Sequence, residues 1–237
     1  MLKSYDVIGN IAILKFPYDV KRNEKVKAAK ELLEERKSVK TVVEKSERVK
    51  GRLRTIKTRH LAGEKNLEAL YLENGCRFKL NIEGCYFSPR LSNERKEIAD
   101  QVKNGEKVLV MFAGVGPFSI VIAKNSKAKE VWSLEFGREC NKYARENVKL
   151  NKLSNIKIIQ GDVKRVIPKI VKFDRIVMPR PQLKDSFLKE AFNVIKKNGM
   201  INYYGFSDDE NEILSIINEE AKKSKKKIKI LKIKKAG

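Results

Sequence analysis

Two glycines bracket a valine in "VMFAGVGPFSI" (residues 110–120), where an apolar run gives way to apolar residues spaced as on a helix. Gly114 and Gly116 at such a break would let a ligand lie against the backbone, with the N–H groups of the following helix pointing at it. Two acids close the next apolar runs: Glu135 ends "EVWSLE" and Asp162 ends "IKIIQGD". A carboxylate at Glu135 can accept both hydroxyls of a ribose, and one at Asp162 can face an adenine amino group. Each acid alone reads equally well as a capping or solvated residue. Together with the glycine turn, on successive strand ends, they describe an adenosine site. No Gly-Lys-Ser/Thr follows the glycines, so the spacing does not suit a phosphate loop of the Walker type. Phe112, Phe136, Val163 and Pro179 stand beside these positions and complete the candidate lining. A second constellation lies upstream in "CYFSPRLSNERKEIA". Arg90 precedes Glu94 by four residues and shares its face if the stretch is helical. Tyr86 offers a ring on which a base or the bound cofactor can stack. Read alone, "RLSNER" is a helix start with an ordinary ion pair.

These residues need strands to present them, and the chain supplies strand patterns in regular alternation with helical ones. "KVLVMFA", "EVWSLEF", "IKIIQGD", "FDRIVMP" and "GMINYYGF" read as strands with helix-length segments between them. Alternation of this kind means a mostly parallel sheet covered on both faces, a Rossmann-like α/β fold. Before about residue 90 the pattern changes to α+β: "DVIGNIAILKF" reads as a hairpin, "FKLNIEGCYF" as another alternating segment, and a charged helix starts after Asn23 with Glu24 in its first turn. The expected organisation is a small α+β domain over 1–90 and a catalytic domain over 91–237. "KKSKKKIKILKIKKAG" reads as a Lys-rich entry to one more strand, after which the sequence stops. A last strand would then be missing, leaving an unpaired edge.

Charge narrows the partners. The 237 residues carry 53 Lys+Arg against 30 Asp+Glu, a formal net charge of +23 spread through the whole chain. Such a surface attracts polyphosphates by counterion release, so nucleic acid leads and an anionic membrane surface comes second. No apolar stretch approaches the roughly 20 residues of a membrane span, and "MLKSYDVIGN" has no signal-peptide character, so a cytoplasmic protein is expected; a monomer is expected alongside. Cys76, Cys85 and Cys140 lack paired spacing and read as buried or idle thiols, with no metal site indicated. His60, the only histidine, falls in what reads as a basic surface loop.

"HLAGEKN", "ENGCRFKLNIEGCYFSPR", "FSPRLSNERKEIA" and "MFAGVGPFSI" together resemble the archaeal and eukaryotic S-adenosylmethionine-dependent tRNA (guanine-N1)-methyltransferases that act at position 37, next to the anticodon. The resemblance covers nearly the whole chain. It implies a class I methyltransferase fold, S-adenosylmethionine as cofactor, and the tRNA anticodon stem-loop as substrate. The wybutosine-pathway aminocarboxypropyl transferases share most of the same boxes, so the group transferred stays open. A basic RNA-binding protein without catalysis is a third reading. The family's larger members carry a further N-terminal tRNA-gripping domain, and this chain resembles a short form lacking it.

Methylation at N1 of guanine requires removal of a proton and stabilisation of charge on O6. The resemblance assigns the first task to Glu94 and the second to Arg54, with Arg90 holding Glu94 or touching the nucleotide. Arg180, Pro181 and Tyr204 would contact the substrate near "MPRP" and "NYYGF", while basic stretches such as "RVKGRLRTIKTRHLAGEK" would grip phosphate. Two departures stand out. Val110 replaces an acid the family commonly has before "MFAGVG", and Pro179 stands where an Asn usually helps read the base.

Overall fold

The structure, a computed structural model, describes residues 5–46, 55–167, 171–179 and 185–234. The chain divides into two units, Met1–Pro89 and Arg90–Gly237.

In the first unit, β1 (Tyr5–Ile8) and β2 (Ile11–Leu14) form an antiparallel hairpin. Gly9 turns it with φ of +58°, and a Cβ there would meet the Leu70 carbonyl oxygen at 2.0 Å, so only glycine fits. Helix α1 (Arg22–Glu35) then crosses over to β3 (Thr41–Lys45), parallel to β2, and β4 (Thr58–Gly63) adds antiparallel to β3. The helix begins before Asn23, at an N-cap Lys21 that makes no side-chain capping bond; the acid in its first turn is Glu24, as expected. His60 sits in β4 rather than a loop, its Nε2 3.1 Å from the Gly63 carbonyl oxygen. A separate hairpin joins β5 (Glu68–Glu73) to β6 (Cys76–Asn81) through Asn74 and Gly75, both at positive φ, the backbone that a tight two-residue hairpin turn demands.

The second unit opens with α2 (Ser92–Gln101) and then alternates strand and helix. Its strands are β7 (Lys107–Met111), β8 (Glu130–Glu135), β9 (Ile156–Gln160), β10 (Phe173–Met178) and β11 (Ile195–Tyr203), separated by α3 (Pro117–Asn125), α4 (Arg138–Leu150), α5 (Val163–Val166) and α6 (Leu188–Val194). Every pairing is parallel, in the order β11-β10-β7-β8-β9. The chain enters at the centre, runs to one edge, then returns to the other side of β7. The topological switch therefore lies between β7 and β10, and a ligand crevice is expected beyond their carboxyl ends. Val108 to Met111 of β7 are fully buried, as a central parallel strand with both faces covered requires.

Helix α7 (Glu210–Lys223) follows β11, and Asp209 caps it by accepting from the Asn211 amide. The strand expected in "KIKILKIKKA" is not formed over 225–234: this stretch carries alternating apolar residues, yet Ile228, Ile230, Leu231 and Ile233 stay largely exposed. It leaves α7 through backbone bonds from the Lys225 and Lys226 amides to the Lys222 and Ala221 carbonyls, and Lys234 pairs with Glu94 and Glu97 of α2.

Arg175, 3% exposed, braces this unit. From β10 it donates to the Glu106 carboxylate (2.9 Å), the Asn202 side chain on β11 (3.1 Å) and the Gln101 carbonyl at the end of α2 (2.8 Å). The helix that carries Glu94 is thereby fastened to the sheet.

Candidate functional site

The glycine turn lies beyond the carboxyl end of β7. Phe112, Gly114 and Gly116 all adopt positive φ (58°, 57° and 90°), and Gly116 is the N-cap of α3 with Pro117 as the first helical residue. A phenylalanine in this region is strained, and its ring is braced edge-on against Phe187 with centroids 4.9 Å apart. A side chain at Gly116 would press on Ile120 at 3.1 Å, so close helix packing also keeps that position small.

Glu135 ends β8 beside this turn. Its Oε2 accepts from the Gly114 amide at 2.9 Å and its Oε1 from the Gly137 amide at 2.6 Å. A carboxylate offers about four lone-pair positions, so two directions remain for hydroxyls. Behind it, buried Asn141 donates to the carbonyls of Glu135 (2.9 Å) and Gly137 (2.8 Å), and Asn147 donates to the Val115 carbonyl (3.1 Å). Two asparagines of α4 thus set the loops after β7 and β8. The sequence reading had not singled them out, since an Asn in a charged helix carries no signal until its carbonyl partners are known.

Asp162 caps α5, accepting from the Lys164 amide at 2.9 Å. Asp162 thus caps a helix at the carboxyl end of β9, the position at which it could face an adenine edge. Val163 is buried and Phe136 is 49% exposed at the end of β8. Pro179 directly follows β10, whose Val177 and Met178 are fully buried, and Val110 is buried within β7. The positive-φ turn, the two-pronged carboxylate and the flanking apolar groups fit an adenosine with its ribose on Glu135. Arg180, Pro181 and Arg54 lie outside the described residues. Tyr86, 42% exposed, belongs to the first unit.

The surroundings of Glu94 differ from those the spacing suggested. Arg90 does not share its helix: it sits in the 3₁₀ turn Pro89–Leu91, exposed, while Glu94 lies in the first turn of α2 and is 8% exposed. The groups on the Glu94 carboxylate come from far along the chain. Tyr204, immediately beyond β11, donates its hydroxyl to Oε1 at 2.9 Å, and the Lys234 ammonium lies 2.5 Å from Oε2 while also pairing with Glu97. The Tyr204 hydroxyl is thus turned onto Glu94. Burial, and then the adjacent Glu94 charge, push its hydroxyl far above the ordinary tyrosine range. Lys234 is held above its ordinary value, first by its hydrogen bond to Glu94 and then by that to Glu97.

The two constellations meet through one ring. Phe118, the second residue of α3, packs edge-on against Tyr204 with centroids 5.7 Å apart, and the Arg95 guanidinium lies 5.7 Å from the same ring. The acid of α2 is therefore linked to the start of α3, behind the glycine turn, through Tyr204 and Phe118.

Residues 69–231 match the TRM5/TYW2 methyltransferase domain, and residues 1–66 match the TYW2 N-terminal domain. The chain belongs to the TRM5/TYW2 methyltransferase family. With that family come the class I fold and S-adenosylmethionine as cofactor. The chain is 40% identical over 231 residues to the tRNA (guanine(37)-N(1))-methyltransferase Trm5b of Pyrococcus abyssi, covering 96% of this chain and 68% of that enzyme. The crystal structure of that Trm5b superposes with a TM-score of 0.83 over 93% of this chain and 66% of the other. The chain thus spans about two thirds of the length of that relative. It is 36% identical to the tRNA 4-demethylwyosine(37)-methyltransferase Taw21 of Saccharolobus solfataricus, over 85% of this chain and 77% of the relative. Methanocaldococcus jannaschii TYW2, solved in complex with AdoMet, has a TM-score of 0.69 at 26% identity, covering 93% of this chain and 86% of its own. The chain has no helix, among the described residues, long and apolar enough to cross a membrane.

Proposed function

We propose that this TRM5/TYW2-family chain transfers a methyl group from S-adenosylmethionine to N1 of guanosine 37 in tRNA, bound through its anticodon stem-loop. The observation that carries the reading is the placement of a buried, doubly held carboxylate, Glu94, linked through a pair of aromatic rings to the start of α3, behind a glycine turn fitted to adenosine. Bound S-adenosylmethionine supplies a methyl group already activated by its sulfonium centre. Glu135 holds the ribose, Asp162 and Val163 border the adenine, and Phe112 and Pro179 line the crevice at the switch point. Glu94 accepts the N1 proton as the ring nitrogen attacks, so that negative charge never accumulates in full on the base. Arg54 faces O6, by resemblance to the family, and Arg90 with Arg180 contacts the nucleotide backbone. The net charge of +23 draws the RNA to the surface without reading its sequence.

A second reading keeps position 37 and changes the base. Residues 1–66 match a TYW2 N-terminal domain, Taw21 acts by name on 4-demethylwyosine, and Pro179 replaces the expected base-reading Asn. A tricyclic base would then be the acceptor, with methyl or aminocarboxypropyl transferred. The test is incorporation of labelled methyl into unmodified tRNA transcripts carrying guanosine or adenosine at position 37. Label on the first and none on the second is expected. Equal labelling of both would refute the assignment of position 37.

A further inference from the structure

Tyr204 has a rim position and an aromatic ring, features that suggest stacking on a base, but the structure uses its hydroxyl differently. The residue follows the last strand position, Tyr203, and turns its oxygen onto Oε1 of Glu94 at 2.9 Å. Its ring is held in turn by Phe118, which stands directly behind Gly116 and Pro117 of the cofactor turn and shares its face with the buried Arg95. The hydroxyl is therefore fixed from the sheet side and the helix side together. A Glu carboxyl group pivots easily about its terminal torsion, whose energy wells are broad. A hydrogen bond from a fixed donor to one oxygen removes that freedom and aims the remaining lone pairs. Because burial keeps the Tyr204 hydroxyl protonated far beyond its ordinary range, it is a permanent donor and never competes with Glu94 for the proton.

We infer that Tyr204 is a positioning residue for methyl transfer, holding the Glu94 carboxylate in the orientation that receives the substrate's proton. The inference rests on the guanine-N1 reading and adds to it a residue that acts through Glu94 rather than on the base. Lys234 on the second oxygen does not replace it. An ammonium is a compact, freely rotating donor on a flexible stem, and here it is shared with Glu97.

A double-mutant cycle tests this: wild type, Tyr204→Phe, Glu94→Gln and the double variant, each in single-turnover transfer from S-adenosylmethionine to a guanosine-37 tRNA transcript. Tyr204→Phe keeps the ring and its packing on Phe118, and thermal unfolding confirms the fold. Its rate should fall by roughly 10- to 100-fold, the range expected when a reacting group is displaced by up to an ångström. The KM for tRNA should stay level, and the double variant should be no slower than Glu94→Gln alone. A Tyr204→Phe rate equal to wild type overturns the proposal, as do losses that multiply in the double variant or a change confined to KM. If Glu94→Gln itself reacts at the wild-type rate, the acid has been misassigned and the positioning role falls with it. A slow Glu94→Gln beside a fast Tyr204→Phe removes the positioning role alone.

Discussion

Replacing Glu135 with Ala separates cofactor binding from the rest of the site, because both of its oxygens already have defined work. In the free protein they accept the Gly114 and Gly137 amides at 2.9 and 2.6 Å. Removing them leaves two backbone donors to be satisfied by water, which the half-exposed position admits, so stability should drop by only about 1–2 kcal/mol, less than for a fully buried loss. Binding should suffer more directly. A hydrogen bond to a charged acceptor contributes about 1.5–3 kcal/mol, and loss of the ribose acceptor therefore weakens S-adenosylmethionine by roughly 10- to 150-fold. Glu135→Gln should lose nearly as much, since its NH₂ group would face an amide donor of the glycine turn. Isothermal calorimetry with S-adenosylhomocysteine, alongside urea unfolding of the free protein, reads both effects. An unchanged affinity in Glu135→Ala would show that the ribose lies elsewhere and that Glu135 serves only the two loops.

Glu94→Gln preserves size while removing the proton acceptor, so single-turnover transfer should fall by roughly 10²–10⁴ with cofactor and tRNA affinities nearly level; a rate loss that merely follows weaker binding would make Glu94 structural. The C-terminal stretch 225–234 should stay fastened to α2 over a defined pH window. Lys234 is raised from 10.5, so its contribution is complete below that value and is lost as pH rises through the raised one. Glu97 is lowered from 4.5, chiefly by its bond from Lys234, so its contribution is present above 4.5 and lost as pH falls through the lowered value. Hydrogen exchange corrected for intrinsic rates should show level protection between these limits, and loss of protection near neutrality would contradict the pairing. Arg175→Met strands the Glu106 carboxylate and frees the end of α2; denaturant unfolding should report a loss of about 3 kcal/mol, the low end for a broken buried pair because Glu106 keeps some solvent. A change within about 0.5 kcal/mol, as at ordinary surface sites, would deny the brace.

The parallel sheet was legible because short apolar stretches such as "VLVM" and "IVM", too short for helices, alternate with helix-length segments, the first running into the glycine turn and the second into Pro179. The glycine turn and Glu135 were legible for the same reason, since their spacing follows from the strand ends. What stayed hidden depends on partners distant in sequence. Tyr204 lies 110 residues from Glu94, and Lys234 farther still, so nothing local told Tyr204 to turn inward or showed what would hold the acid. Arg90 would share a face with Glu94 only if the stretch between them were helical, but Pro89 opens a 3₁₀ turn there and the α-helix starts only at Ser92. The alternation in "KIKILKIKK" has strand period, yet a strand also needs a neighbour offering its edge, and the described part of the segment is instead tied by backbone bonds to the end of α7 and by the Lys234 ion pairs. Strands β3 and β4 went unrecognised because charged residues interrupt "TVVEK" and "TRHLAG"; their pairing with each other and with β2 supplies what local preference lacks.

Mass spectrometry of tRNA nucleosides, after incubation of a guanosine-37 transcript with the protein and S-adenosylmethionine, tests the central claim most directly. One new methylated nucleoside, 1-methylguanosine, is expected at position 37 and should be absent when Glu94→Gln replaces the wild type. An aminocarboxypropyl gain, a methyl gain seen only on tRNA bearing 4-demethylwyosine, or no change at all would contradict it.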